Sequence, residues 1–532
     1  MRSLFLTLFA TVALLIAFVW WHSLPHPTSV LPVPAGDQEI AWIQPATSTA
    51  AWERFVTGVL RLQLLTNLVK VDDSRAFPEA TTAVPELLIS LSSRKSSLRV
   101  RWYKVSKAAG VNDWINRLGD RKPAPLVVIG GGSSDRAYDL AKAMQDQKSW
   151  LGEKPVLFFT TATASTVIDP SQALPINLMD VYPGRSFRMC FNNSQIAQAV
   201  TDFVWSQPDL RPVGDPTLLL SAVATNSALS AISLLAVHYE HDCPVVSALE
   251  WDDDPYSVDL SRQFHEVFHE PRWGHVLVRE TRGIPSSIGG QFDPNHWEAE
   301  AAEFLISGLS SNPLERQLLV MPTVLAPARR VMRTITAALP FVGRNLVIVT
   351  GDSISLNNMY RDADIGWNAR ELPVPLVAFA HHDPAAWDQP GPEEDRKSAE
   401  STNPIESIPR TSAAYLSPPT NTDEVLQHLR MMDEIVSAAW QIDQRDSPGS
   451  LTNSSDQMAK RLHSTQYFET NGDRKSGEEY VLCLRPDIVR GNGNSTQVLP
   501  TATLEIWYHR EGRWLRVKRL TLNYGRNSRD NS

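Results

Sequence analysis

Four loops hold the residues best suited to grip a small polar molecule. Residues 130–135 read GGGSSD, 160–165 read TTATAS, 250–257 read EWDDDPYS and 350–353 read TGDS. They supply small hydroxyls, backbone amides, one phenol and several carboxylates. In the first loop, glycines permit tight turning and close approach of a ligand to the backbone. Ser133 or Ser134 would cap the helix that follows, and the amides at that helix start attract an anion such as a carboxylate. An ordinary strand-to-helix turn uses the same residues. A dinucleotide GxGxxG pattern needs glycine where Asp135 stands, and no Gly-Lys-Ser/Thr follows for a nucleotide phosphate loop. The second loop is a hydroxyl cluster or a plain polar turn. The Asp252, Asp253, Asp254 triplet has the ligand type of a hard-cation site, although solvated charge is the commoner use of such a run. Tyr256 offers a ring or a hydroxyl to a ligand, or packs at the start of the next helix. Asp352, behind an apolar strand, would want a cationic partner, and a ligand ammonium would serve. Capping the next helix is its structural alternative.

Each loop follows a short apolar run, at 126–129, 156–159, 245–249 and 346–349, and similar runs lie at 40–43, 218–220, 318–321 and 376–379. None alternates polar with apolar, which is the pattern of strands covered on both faces in parallel sheets. Helical faces lie between them. Ala137, Leu140, Ala141 and Met144 make one, and Ile196, Ala199, Val200 and Phe203 a second. Leu260, Phe264, Val267 and Phe268 make a third, and Met332, Ile335, Ala338 and Leu339 a fourth. Strand–helix alternation over this length predicts an α/β fold of two doubly wound lobes rather than one oversized sheet. In such sheets ligands bind outside the carboxyl ends of the strands, where the four loops lie. Residues 383–404 read as an exposed loop and 422–440 as a helix. Strands follow at 480–484, 503–509 and 514–520, the last two joined as a hairpin through Glu511 and Gly512.

The chain has 532 residues, 50 Lys+Arg against 59 Asp+Glu, and a net charge of −9. The negative balance argues against a nucleic-acid partner. Cys190, Cys243 and Cys483 exclude a disulfide framework and show no zinc spacing; Cys190 and Cys243 are either bridged or free. No cofactor or metal is expected. Residues 4–21 form an uncharged, mostly apolar run of about 27 Å as a helix, close to the ~30 Å hydrocarbon core. Arg2 precedes it and the next basic side chain, histidine aside, is Arg54. That asymmetry predicts an inner-membrane signal anchor over residues 1–22, with the bulk of the chain extracytoplasmic; a cleaved signal peptide is the alternative. Pro25, Pro27, Pro32 and Pro34 give residues 23–37 the composition of an extended stalk.

Taken in order, several segments resemble the type I periplasmic solute-binding proteins, in particular the leucine/branched-chain amino-acid branch. They are VVIGGGSSDRA (127–137), VLFFTTATAS (156–165), SFRMCFNNSQIAQAV (186–200), EWDDDPYSVDLSRQF (250–264) and, more weakly, YFETNGDR (467–474). The resemblance implies two lobes joined by a three-strand hinge. On this chain they are 38–208 with 390–468, and 209–389 with 469–525. It implies a small, amino-acid-like solute in the cleft and an ABC permease or membrane signalling partner. It carries the carboxylate-binding hydroxyls to Ser134 and Thr163, with Ala162 through its backbone, the cleft tyrosine to Tyr256 and the ammonium-binding acid to Asp352; Ser133, on the same loop as Ser134, is a further candidate ligand-binding residue. The chain is about a hundred residues longer than usual for the family, and residues 218–241 read as an extra strand and helix. The loop after the 318–321 strand, PTVLAPA, has no aromatic to close over a ligand.

A different resemblance points to an enzyme. VIVTGDSISLNN (347–358) is similar to the first block of the GDSL esterases, which would make Ser353 a nucleophile. The Asp-x-x-His that reading needs, DPNH at 293–296, precedes the serine instead of following it. His381 and His382 lie downstream without such a frame. A third class is a bilobal ectodomain that binds partners and no ligand.

Overall fold

The computed structural model describes residues 30–65, 69–91, 96–169, 174–214, 244–252, 254–274, 276–279, 281–284, 315–323, 327–328, 330–333, 346–354, 374–383, 422–446, 454–490 and 496–523. The expected anchor at 4–21, the strand at 218–220, most of the fourth helical face, Cys243, DPNH and most of the 383–404 loop lie outside them. Among the described residues no helix is long and apolar enough to cross a membrane.

Two sheets organise the chain. The first contains β1 (Gln38–Pro45), β2 (Val69–Arg75), β3 (Glu86–Leu91), β4 (Ser97–Val105), β5 (Val127–Gly130) and β6 (Val156–Phe159). A small hairpin, β7 (Thr166–Asp169) with β8 (Leu174–Asn177), precedes its last strand, β9 (Ser186–Arg188). The order is β2-β3-β4-β1-β5-β6-β9, parallel from β4 to β9 and antiparallel at β2 and β3. The second contains β10 (Val245–Trp251), β11 (Leu277–Val278), β12 (Arg282–Ile284), β13 (Gln317–Val320), β14 (Leu346–Val349) and β15 (Leu376–Ala380). These run parallel, and β16 (Tyr480–Arg490), β17 (Thr496–Arg510) and β18 (Arg513–Asn523) extend the sheet antiparallel. Two doubly wound α/β units therefore stand as expected, each with a parallel centre. Their antiparallel edges correct the expectation of parallel sheets. The predicted turn between β17 and β18 is present, with Glu511 at φ 52° and Gly512 at φ 76°, the pair of positive φ values that matches strand twist.

Buried apolar faces explain the winding. Every residue of β5, β6, β13, β14 and β15 is buried. Against the first sheet pack the helices Thr49–Leu65, Thr422–Asp446 and Ser455–Ser464 on one side, and Val111–Gly119 and Ser134–Asp146 on the other. Trp42, Trp52 and Trp102 form an aromatic nucleus there, Trp42 lying 5.1 Å from Trp52 and 5.3 Å from Trp102. The helix Asn193–Ser206 packs elsewhere than its place in the first lobe's range implies. Ile196, Val200, Phe203 and Val204 bury against Val246, Leu318, Val347 and Val377 of the second sheet. The first passage between units therefore falls between β9 and residue 193, ahead of the expected boundary at 208.

Among the described residues the chain passes between the two cores three times: from β9 to the Asn193 helix, from β15 to the Thr422 helix, and from Phe468 to β16. Gly472 lies against β9 on the third passage. It sits at φ 92°, its carbonyl accepts from Arg188 N at 3.1 Å, and a Cβ there would stand 2.0 Å from Ser186 O. Gly472→Ala is expected to cost more than about 2 kcal/mol, because a non-glycine residue meets both a backbone clash and an unfavourable φ. Chemical denaturation checks this, and an unchanged midpoint would mean that the third passage is free to shift.

Candidate functional site

The loop after β6 is fixed almost atom by atom. Thr160 N donates to Gly130 O at 2.9 Å, and Thr161 Oγ1 to Gly132 O at 3.0 Å. Ala162 O accepts from Arg188 Nη1 at 3.1 Å and from Cys190 Sγ at 3.4 Å. Thr163 O accepts from Asn193 N at 2.7 Å. Ala164 N donates to Ser134 Oγ at 3.4 Å, and Ala164 O accepts from Arg188 Nη1 at 2.7 Å. Ser165 N and Thr166 N both donate to Asp259, at 2.7 and 3.2 Å. Three backbone donors of the loop, the N–H groups of Thr161, Ala162 and Thr163, are left over, the last two on buried residues. No acceptor among the described residues meets the N–H groups of Ala162 and Thr163, although both residues are 1% exposed. Buried backbone donors are almost always paired, and these two are exceptions.

The glycine loop after β5 lies alongside. Gly131 adopts φ 73°, and a Cβ at Gly130 would stand 2.8 Å from Ile43 O, so side chains are excluded where the backbone turns. Ser133 occupies the N-cap position of the Ser134–Asp146 helix but makes no capping bond, which corrects the expected cap. Its Oγ is buried with no partner. Ser134 is buried, and its Oγ, accepting from Ala164, still has a proton to donate. The loop of Ser133 and Ser134 is thus tied to the loop of Ala162 and Thr163 through Thr161 Oγ1 on Gly132 O and Ala164 N on Ser134 Oγ.

Tyr256 and Asp352 meet on the second unit. Asp254 caps the Pro255–Phe268 helix, its carboxylate accepting from Tyr256 N at 3.1 Å. That is the role of Asp254 in the triplet; Asp252 is exposed, and Asp253 lies outside the described residues. Tyr256 then extends over Gly351, where a Cβ would stand 2.3 Å from the phenol oxygen. The phenol donates to Asp352 Oδ1 at 3.0 Å, and burial, reinforced by the Asp352 charge, raises its pKa well above the usual tyrosine value. His381, directly after β15, pairs its Nε2 with Asp352 Oδ2 at 2.9 Å. Its Nδ1 receives the Phe191 N–H at 3.0 Å. With Nδ1 accepting, Nε2 is the nitrogen that donates to the carboxylate. Asp352 is thus an acid that accepts from Tyr256 and His381; the residues after 354, where the helix it would alternatively cap would start, lie outside the described residues.

Asn193 joins the halves. Besides taking Thr163 O, it donates through Nδ2 to Asp259 Oδ2 at 2.9 Å and to Tyr256 O at 3.5 Å, and it is fully buried. Sequence reasoning missed Asn193, Asp259, Arg188 and His381 as site residues. His381 carried the available signal, since it stands immediately after an apolar strand run.

The esterase arrangement does not form among the described residues. Ser353 Oγ donates to Thr323 O at 2.5 Å. Both nitrogens of His381 are engaged by Phe191 and Asp352, and His382 is bound by Asp423 and Arg474. A nucleophilic serine needs a base within reach to take its proton. Cys190 and Cys483 are buried free thiols, and burial pushes the Cys190 thiol up to about 12. No group of three or more His, Cys, Asp or Glu able to hold a metal occurs among the described residues.

No family model matches the chain, and no curated protein does. Solved structures similar to it include the leucine-binding protein LivK of Thermotoga maritima, at 14% identity over 91% of this chain and 99% of that one, TM-score 0.45. A solute-binding protein of an ABC transporter from Rhodopseudomonas palustris, in complex with p-hydroxybenzoic acid, is similar at 10% identity over 91% and 98%, TM-score 0.46. A branched-chain amino acid ABC transporter from Thermus thermophilus with bound valine is similar at 10% identity over 91% and 95%, TM-score 0.41. At these values the likeness assigns no ligand and no residue role.

Proposed function

We propose that the protein is an extracytoplasmic binding protein that closes its two α/β units around a small organic acid, amino-acid-like in having a cationic group at the other end. One observation supports this reading: the N–H groups of the buried Ala162 and Thr163, and the buried Ser133 Oγ on the neighbouring loop, meet no acceptor among the described residues, and in this proposal they receive the anion. Ser134 adds a hydroxyl donor, and the start of the Ser134–Asp146 helix favours negative charge. Asp352, held by Tyr256 and His381 and joined to the receptor through Asn193, supplies the negative end. Contacts to both units exist only when the units are together, so ligand shifts the open–closed equilibrium without any bond chemistry. Residues 4–21 anchor the chain in the inner membrane in this proposal, and a permease or membrane signalling partner reads the closed form.

A thermal-shift panel of amino acids, their deaminated carboxylates and their decarboxylated amines tests it. Ligand at about 100 times Kd adds about 2.7 kcal/mol to folding stability. Compounds with a carboxylate should stabilise, those with both groups most, and amines alone should not. Stabilisation by the amines but not by the acids would contradict the anion receptor. In Asp352→Asn, the extra stabilisation given by the amino group is expected to vanish, while that of simple carboxylates persists.

A further inference from the structure

Arg188 stands where the first passage leaves β9, and it is fully buried. Its Nη1 donates to Ala162 O and Ala164 O, at 3.1 and 2.7 Å. Its Nε donates to Asp473 Oδ1 at 2.8 Å, and its Nη2 meets the same oxygen. Asp473 belongs to the third passage. Its Oδ2 accepts from Asn471 Nδ2 at 2.9 Å and from Asn192 Nδ2 at 3.3 Å, and its own N–H donates to Asn471 Oδ1 at 3.0 Å. The fork of one guanidinium thus ties the loop at 162–164 to two of the three passages between the units.

In a planar trans peptide the carbonyl of one residue and the N–H of the next point to opposite sides. Drawing Ala162 O onto Arg188 therefore turns Thr163 N–H away from it. The neighbouring peptides obey the same rule with partners on both sides. Thr163 O takes Asn193 N while Ala164 N takes Ser134 Oγ, and Ala164 O takes Arg188 while Ser165 N takes Asp259. Only the peptide between Ala162 and Thr163 has its carbonyl gripped and its N–H left open.

We infer that Arg188, fixed by Asp473, is the positioning residue that aims the Thr163 N–H into the anion receptor, so that the geometry of the passages sets whether the receptor is formed. The aiming stands on geometry alone. Its consequence for binding rests on the proposed function.

Hydrogen exchange of the full chain, read on peptides covering residues 160–166, tests this with sodium acetate as probe against sodium chloride at equal ionic strength. Arg188→Lys keeps a charge for Asp473 but loses the planar fork, so a merely structural ion pair is rescued by it and an aiming role is not. Both Arg188→Lys and Asp473→Asn are expected to speed exchange in that segment by about tenfold, with the core strands β5 and β14 unchanged, and to abolish slowing by acetate. Wild-type exchange rates in Arg188→Lys, or undiminished slowing by acetate, would overturn the inference. If acetate fails to slow even the wild-type segment while both variants speed it, the aiming role stands and the anion-receptor reading fails. Should either variant unfold, the other is read alone.

Discussion

Glu39→Gln is expected to lower folding stability by about 3–5 kcal/mol, the cost of leaving a buried cation without its counter-charge. Glu39 lies on β1, and its side chain is fully buried. Oε2 binds Arg101 Nη1 at 2.7 Å, and Oε1 binds Arg121 Nη2 at 2.7 Å and the Tyr103 hydroxyl at 3.1 Å. Arg101 retains Glu86 as a second acid at 2.7 Å. Among the described residues Arg121 has no such second carboxylate, and its remaining contacts include the carbonyl of Leu31 at 2.9 Å. Removing the acid therefore strands Arg121. The same two arginines grip Leu31 O and Pro32 O, so the end of the Pro-rich segment is pinned to the first unit and does not stand off as a stalk. Urea denaturation measures the loss. The double variant Glu39→Met/Arg121→Met should recover a large part of it, because a buried pair replaced together leaves no orphan charge. A Glu39→Gln midpoint equal to wild type would show that the network adds nothing.

Acid should destabilise the fold well above the carboxylate range. Burial, assisted by the Arg54 charge and opposed by a hydrogen bond to the Arg54 backbone, lowers the His428 pKa from 6.5 to about 3. Burial also lowers His382 to about 4, opposed by its bond to Asp423 and assisted by the Arg474 charge. Both are neutral in the native state, and the unfolded chain binds a proton near pH 6.5. Their contribution to stability is therefore complete above pH 6.5 and is lost as pH falls toward 4. At 1.36 kcal/mol per pKa unit, each histidine accounts for about 3 kcal/mol by pH 4. His428 faces the Phe55 ring at 5.3 Å and tolerates an apolar substitute, so His428→Leu should remove about half of the loss between pH 6.5 and 4. Denaturation midpoints over that window decide it. Identical pH profiles for wild type and variant would assign the acid sensitivity elsewhere.

What the sequence disclosed follows from which periodicities are strong. The runs that became β5, β6, β10 and β13–β15 are continuous and apolar because helices cover both faces, and they were legible nearly to the residue. Strands β2–β4 were not. Val69 and Val71 are buried while Lys70 is exposed, and β2 then runs into Asp72, Asp73 and Arg75, a half-buried edge whose charges mask the alternation. The Asn193–Ser206 helix was legible as a helix, but amphipathicity does not say which sheet its apolar face meets. The loops of the candidate site were found by the rule that ligands gather at carboxyl ends of strands. Arg188 and Asp473 were not, because 285 residues separate partners that meet only through the passages between units.

The central claim is that Ser134 and Asp352 hold opposite ends of one small molecule. Calorimetric titration of the strongest stabiliser from the panel into wild type, Ser134→Ala and Asp352→Ala tests it most directly. Each substitution removes a bond to a charged group, worth about 1.5–3 kcal/mol, so each variant should bind at least about tenfold more weakly with unchanged stoichiometry. Wild-type affinity in both variants would contradict the account.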